Sequence, residues 1–162
     1  LVSLGLAGRI AALTACDPSA GMLEILKKKT EKNRLGNVRP YLLDPSNPHL
    51  PREKYDLILS SMVFHHLRDY PRTLEMFYAH LKPAGRIAIA DLDSEDGFFH
   101  TDPEGVIHHG FSRDVFSVSL RTVGFCRVES QTVQKLLRPH PKEGQKEYSV
   151  FLIIAQKTDS RQ

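Results

Sequence analysis

The chain has 162 residues, a formal net charge of +3, 41% hydrophobic and 25% charged residues and no Trp. That length suits one domain with a real core, and scattered lysines and arginines without a Trp stacking platform give no footprint for nucleic acid. No apolar run approaches the roughly 20 residues of a membrane span, and Cys16 and Cys126 form no CxxC pair, as expected of buried thiols in a reducing cytoplasm.

Short apolar runs alternate with amphipathic stretches, the pattern of βα units around a mainly parallel sheet. Residues 1–8 read as the tail of a helix stopped by Gly8. Ala11 to Cys16 reads as a buried strand, Asp17-Pro18-Ser19 as a turn and Ser19 as the N-cap of a helix carrying Met22, Leu23, Ile25 and Leu26. That helix is expected to end near Leu35-Gly36. A second strand spans Val38 to Leu42 and is followed by Leu43 and Asp44. Pro45, Pro48 and Pro51 then disfavour regular structure.

Tyr55 to Ser60 is a compact apolar strand that runs into Ser61-Met62-Val63-Phe64-His65-His66. Leu74, Phe77, Tyr78 and Leu81 share one helix face. Lys82-Pro83-Ala84-Gly85 turns the chain into a strand over Arg86 to Asp91, and a polar loop follows to about Gly110. Ser112 to Val123 forms a helix with Phe116, Leu120 and Val123 inward, stopped by Gly124. Phe125 to Leu136 and Tyr148 to Gln156 follow each other with no helix between, so they pair antiparallel, with Arg138 to Lys146 expected as a long hairpin loop. Residues 1–157 are taken as one domain and 158–162 as a tail.

The strand ends carry the chemistry. Ligands of open α/β sheets bind beyond the carboxyl ends of the strands. There the Asp17 carboxylate can accept from vicinal hydroxyls, or cap the next helix. Asp44 can accept from an amine, or shape the turn before Pro45. Met22 can pack on a flat ring, or belong to the core. Ser60 and Ser61 leave room for a ligand. His65 is the candidate proton acceptor, against a packed or capping role. Adjacent histidines are expected to diverge, so His65 and His66 are not read as one metal site. The acid- and histidine-rich segment from Asp91 to Arg113 matches no metal motif and is read as a substrate-facing loop, so no metal site is assigned. In it, Phe98, Phe99 and Phe111 either line a cavity or anchor the loop to the core.

In order and spacing, four motifs resemble those of class I S-adenosylmethionine-dependent methyltransferases, above all the small bacterial enzymes similar to those of ubiquinone and menaquinone biosynthesis. They are Ala15-Cys16-Asp17-Pro18-Ser19 with Met22-Leu23; Asp44 with Leu50-Pro51; Tyr55-Asp56-Leu57-Ile58 through His65-His66-Leu67; and Leu81-Lys82-Pro83-Ala84-Gly85, where the family most often has Gly at the place of Ala84. The resemblance implies a Rossmann-like α/β sheet, mainly parallel with a reversed strand near one edge. It implies that Asp17 holds the cofactor ribose, with Pro18 beside it in the motif and Met22 placed to pack on the base. Leu43 and Asp44 would read the adenine, and Ser60, Ser61 and Met62 would border the methionine portion. The activity implied is methyl transfer to a small-molecule acceptor, in the cytoplasm and without nucleic acid or membrane partners.

The family's first strand and glycine-rich loop would precede Leu1, so the chain reads as an N-terminally incomplete form whose sheet lacks that strand. Two other readings compete. A nicotinamide-nucleotide oxidoreductase would also place an acid after its second strand, and a degenerate, non-catalytic relative would serve as an interaction module.

Overall fold

A computed structural model describes residues 2–44 and 49–159. The expectations for Pro45, Pro48 and the last residues of the tail lie outside that range. The chain divides into two compact units, residues 1–52 and 53–162.

The first unit contains α1 (Val2–Ala7), β1 (Leu13–Asp17), α2 (Ala20–Lys32) and β2 (Val38–Leu42). β1 and β2 pair in parallel, with Asp17 opposite Leu42, and the Leu43 amide donates to the Asp17 carbonyl at 3.0 Å. Ser19 is the N-cap of α2, its hydroxyl accepting from the Met22 amide at 3.3 Å. Capping of this kind is worth about 1 kcal/mol. α2 stops at Lys32, three to four residues before the expected Leu35-Gly36. The Asn33 side-chain amide donates to the Lys29 carbonyl at 2.7 Å, and Arg34 adopts φ 54°. Together they satisfy and close the last turn before the glycine is reached.

The second unit contains β3 (Tyr55–Ser61), a short 3-10 turn (Phe64–His66), α3 (Tyr70–His80), β4 (Leu81–Leu92), α4 (Arg113–Val123), β5 (Phe125–His140) and β6 (Gly144–Lys157). Its sheet has the order β3-β4-β6-β5. β3 runs parallel to β4, and β6 is antiparallel to both β4 and β5. β6 is therefore the reversed strand and lies next to the edge, as the family pattern implied.

Alternating residues of β4 and β6 put Ile87, Ile89, Phe151 and Ile153 on one face, all fully buried. α3 and α4 cover that face through Leu74, Phe116 and Leu120. α4 ends where Gly124 takes φ 113°, a left-handed stop. The Asp69 carboxylate caps the start of α3 by accepting from the Arg72 amide at 3.1 Å. At its end, the Lys157 ammonium donates to the carbonyls of Tyr78 and Leu81 at 2.7 and 3.0 Å.

The expected hairpin loop from Arg138 to Lys146 is corrected. β5 and β6 stay paired as far as His140 opposite Gly144, leaving a turn of Pro141, Lys142 and Glu143. Pro139 is tolerated there because β5 is the edge strand, where a missing N–H costs least. Gly144 closes the turn at φ 73°, and the buried His140 ring accepts from the Glu143 amide at 3.0 Å. The segment between β4 and α4 is pinned rather than loose. Asp93 holds Arg113 through two bonds of 2.6 and 2.5 Å. The Glu95 carboxylate accepts from the amides of Gly97, Phe98 and Phe99 at 2.7, 3.1 and 3.3 Å. Phe99 and Phe111 are buried, and Phe98 is exposed.

Candidate functional site

In the first unit the strand ends are as the sequence reading placed them. Asp17 closes β1, and Leu43 and Asp44 directly follow β2 on the same side of the parallel pair. The Asp17 Oδ1 accepts from the Ser19 amide at 2.8 Å. Its second carboxylate oxygen has no partner among the described residues. The turn-forming role is thus real and leaves acceptor capacity over. Met22 is 43% exposed. A core methionine would be covered, so that reading of Met22 fails. Cys16, half-buried in β1, has its thiol pushed up to about 11 by burial, which makes it an inert thiol at neutral pH.

In the second unit the site forms at the ends of β3 and β4. Ser61 lies opposite Ala90, so Asp91 falls beside the turn that leaves β3. Met62 follows at φ 57°, a left-handed conformation that costs a residue with a Cβ about 1–2 kcal/mol. Its amide donates to the Ala90 carbonyl at 2.8 Å. Backbone strain of this kind gathers where a ligand or a reacting group must be positioned. Ser61 and Met62 line a cavity of about 740 Å³ together with Phe99, His100, Leu136 and Arg138. Ser60, the preceding residue, is buried.

The 3-10 turn places His65 against Asp91. Both side chains are essentially inaccessible, at 1% and 0%. The His65 Nδ1 and Asp91 Oδ1 are 2.6 Å apart. Asp91 also accepts from the Leu92 amide at 2.8 Å and, through Oδ2, from the Phe64 amide at 2.9 Å. A carboxylate already accepting two backbone N–H groups takes the imidazole as a third donor, so Nδ1 carries a proton, and in the neutral ring the lone pair lies on Nε2. That Nε2 is buried without a hydrogen-bond partner. Leaving a buried polar atom unpaired costs about 1–3 kcal/mol, and a catalytic role or a bound ion is among the explanations for it.

The adjacent histidines do not diverge as expected. The rings of His65 and His66 lie 4.1 Å apart, and His100 comes within 5.0 and 5.8 Å of them. Tight 3-10 winding and two separate anchors explain this. Asp91 fixes His65, and the Gly105 carbonyl lies 2.8 Å from Nδ1 of His66. The pairing of His65 with Asp91 and the arrival of His100 were the parts that sequence reasoning missed. His65 and Asp91 had been singled out separately, and the only signal linking them was the register of β3 on β4.

Comparison with known proteins agrees with this architecture. The family described as "Methyltransferase domain" matches residues 3–87. The malonyl-[acyl-carrier protein] O-methyltransferase of Priestia megaterium is 33% identical over 81 residues, 48% of this chain and 27% of that protein. The chain spans less than half the length of the curated relatives it matches. Among solved structures, YcgJ from Bacillus subtilis superposes with a TM-score of 0.73 at 13% identity, covering 98% of this chain and 87% of that one. Phosphoethanolamine N-methyltransferase 2 of Haemonchus contortus, solved with S-adenosyl-L-methionine, gives 0.75 at 12% identity, covering 97% and 46%. With the family match running from α1 into β4, the chain belongs to the methyltransferase-domain family, the class I S-adenosylmethionine-dependent methyltransferases.

Proposed function

We propose that the protein transfers a methyl group from S-adenosylmethionine to a small-molecule acceptor, with residues 1–157 acting as one domain. The family match crosses residue 52, where the two units divide, which supports reading them as one domain. When bound, the cofactor supplies a sulfonium methyl group, a strong electrophile with a neutral leaving group.

The residues suit that cofactor. The spare oxygen of Asp17 is an ionic acceptor for ribose hydroxyls, a stronger one than an amide or hydroxyl. Pro18 and the exposed Met22 give it an apolar flank, and Leu43 with Asp44 is our choice for the adenine. In the second unit, Ser60, Ser61 and Met62 are assigned to the methionine portion. The observation that carries the reading is Asp17, which ends its strand with one oxygen committed to the turn and the other unspent.

The chain's own work is alignment and proton handling. The cavity beyond β3 and β4 is large enough for a small molecule. Met62, Phe99 and Leu136 give it an apolar wall, and Arg138 offers a cation to an anionic group. His65 is our candidate to take a proton from the acceptor through Nε2, with Asp91 holding the ring and its tautomer. Positioning alone can supply several kcal/mol of barrier reduction. Free thiols such as Cys16 and Cys126 persist in the cytoplasm, the location we favour.

Calorimetric titration of the full-length protein with S-adenosylhomocysteine, beside the Asp17→Ala variant, tests the reading. Binding by the wild type and a loss of tenfold or more in the variant is the expected result. Tight binding of a nicotinamide cofactor with none of S-adenosylhomocysteine would overturn it.

A further inference from the structure

We propose that His65, His66 and His100 form a binding site for one divalent transition-metal ion of the zinc type. One ring nitrogen from each lies within 4.8 Å of the other two. The three residues come from two separate segments, the turn after β3 and the loop after β4, so sequence adjacency alone does not account for the cluster. Nitrogen atoms around a tetrahedral zinc ion sit about 3.4 Å apart, given bonds of about 2.0–2.1 Å. The remaining gap would be closed by movement of His66, which is exposed, and His100, which is half-buried, against the fixed His65.

Two features point to an ion rather than to chance clustering. The Nε2 atoms of His65 and His100 are both buried without a hydrogen-bond partner. Behind His65 stands Asp91, at 2.6 Å from Nδ1. A carboxylate on the far nitrogen is the arrangement that orients a metal-bound imidazole and makes it a better donor. An all-imidazole donor set suits zinc, copper, nickel or cobalt and disfavours magnesium and calcium.

The contrast with the other histidine-containing group is instructive. Asp96, His140 and Glu143 also lie close together. There the Lys146 ammonium already sits 2.6 Å from Asp96 and 3.4 Å from Glu143, supplying the cation. Among the described residues no lysine or arginine side chain makes an ion pair or hydrogen bond with the three-histidine cluster; Arg138, which lines the same cavity, faces His100 without a direct bond.

Metal binding itself is independent of the methyl-transfer reading. Its consequence rests on that reading. An ion on Nε2 takes the lone pair that His65 would offer a proton. His100 lines the cavity, so the ion would lie at the cavity wall. A thiol or hydroxyl acceptor bound to the ion would then lose its proton to bulk water rather than to His65.

The test is calorimetric titration of the metal-stripped protein with zinc chloride at pH 7.5, with cobalt(II) visible absorption as a second readout, both without cofactor. One ion per chain, intense cobalt bands between about 500 and 650 nm, and a tenfold or greater weakening in both His66→Gln and His100→Gln support the site. His80→Gln and His109→Gln should bind like the wild type. Circular dichroism of the His66→Gln and His100→Gln variants confirms their fold, so a misfolded His65 variant cannot decide the outcome. The proposal fails if zinc binds no tighter than millimolar, or if both variants bind as the wild type does. Failure here with S-adenosylhomocysteine binding intact would leave methyl transfer standing, with His65 as the direct proton acceptor.

Discussion

Replacing Asp91 with Asn changes one atom in a group that solvent does not reach. Its Oδ1 accepts from the His65 ring and the Leu92 amide at 2.6 and 2.8 Å, and its Oδ2 from the Phe64 amide at 2.9 Å. With the Asn oxygen at the Oδ1 position, the new NH2 group faces the Phe64 N–H, donor against donor. With the amide reversed, it faces the His65 ring and the Leu92 amide instead. Either way at least one buried N–H loses its acceptor, at about 1–3 kcal/mol, and the surviving bonds lose their charge assistance. The expected loss is about 2–4 kcal/mol, which for a domain of this size lowers Tm by about 5–15 °C. Urea denaturation measures it directly. Asp91→Ala should cost more, since it strands all three donors. The reversed amide also leaves His65 free to move its proton to Nε2, a change that nitrogen-15 NMR of the imidazole would register. A loss below about 0.5 kcal/mol in both variants would show that the buried dyad does not hold the turn.

Other outcomes follow from the backbone and from one surface network. Ala84 sits at φ 58°, so Ala84→Gly should stabilise the protein by about 0.5–1 kcal/mol, the left-handed strain outweighing the added chain entropy; a lower denaturation midpoint would refute it. Gly110 has φ 69°, and a Cβ there would lie 2.1 Å from the Asp93 carbonyl, whereas Gly105 at φ 77° has open space. Gly110→Ala should therefore cost over about 2 kcal/mol and Gly105→Ala about 1, and equal losses in thermal melts would contradict the packing of that segment. The Asp96 carboxyl is held below its ordinary pKa, first by the hydrogen bond from Lys146 and further by that from Tyr148. A depressed carboxyl contributes its stability fully above the unfolded value near 4 and loses it as the pH falls through the lower folded value. Midpoints measured from pH 5 downward should thus fall more steeply for the wild type than for Asp96→Asn, and parallel curves would sink the assignment.

Much of this was legible in the residues because the signals were local. Ser19 caps a helix, Gly124 stops one, and the apolar spacing of Leu74 and Phe77 marks a third. Ala84 was noted where relatives favour Gly, and its positive φ supplies the reason. The carboxylate at the end of β1 was equally visible, since a strand-ending Asp before Pro is a short-range pattern. What stayed hidden was long-range. Nothing near His65 announces a partner 26 residues away, because that contact exists only once β3 is in register with β4. His100 reaches the cluster through a loop held by the Glu95 carboxylate, whose three accepted amides have no sequence signature. The hairpin was misjudged because Pro139 and Pro141 read as breakers, a rule that relaxes on an edge strand.

The interior position of β6 has a consequence for biosynthesis. Residues 144–157 join β4 to β5, so while the ribosome has yet to release them, the unit holds only a two-stranded β3-β4 pair and an unattached β5. Helices α3 and α4 emerge earlier, with their apolar stripes lacking half of the surface they cover. The nascent chain therefore passes through an interval in which Ile87, Ile89 and Phe116 lack their full cover. Closure of the sheet waits on β6, which follows β5 after a three-residue turn and pairs with both β4 and β5.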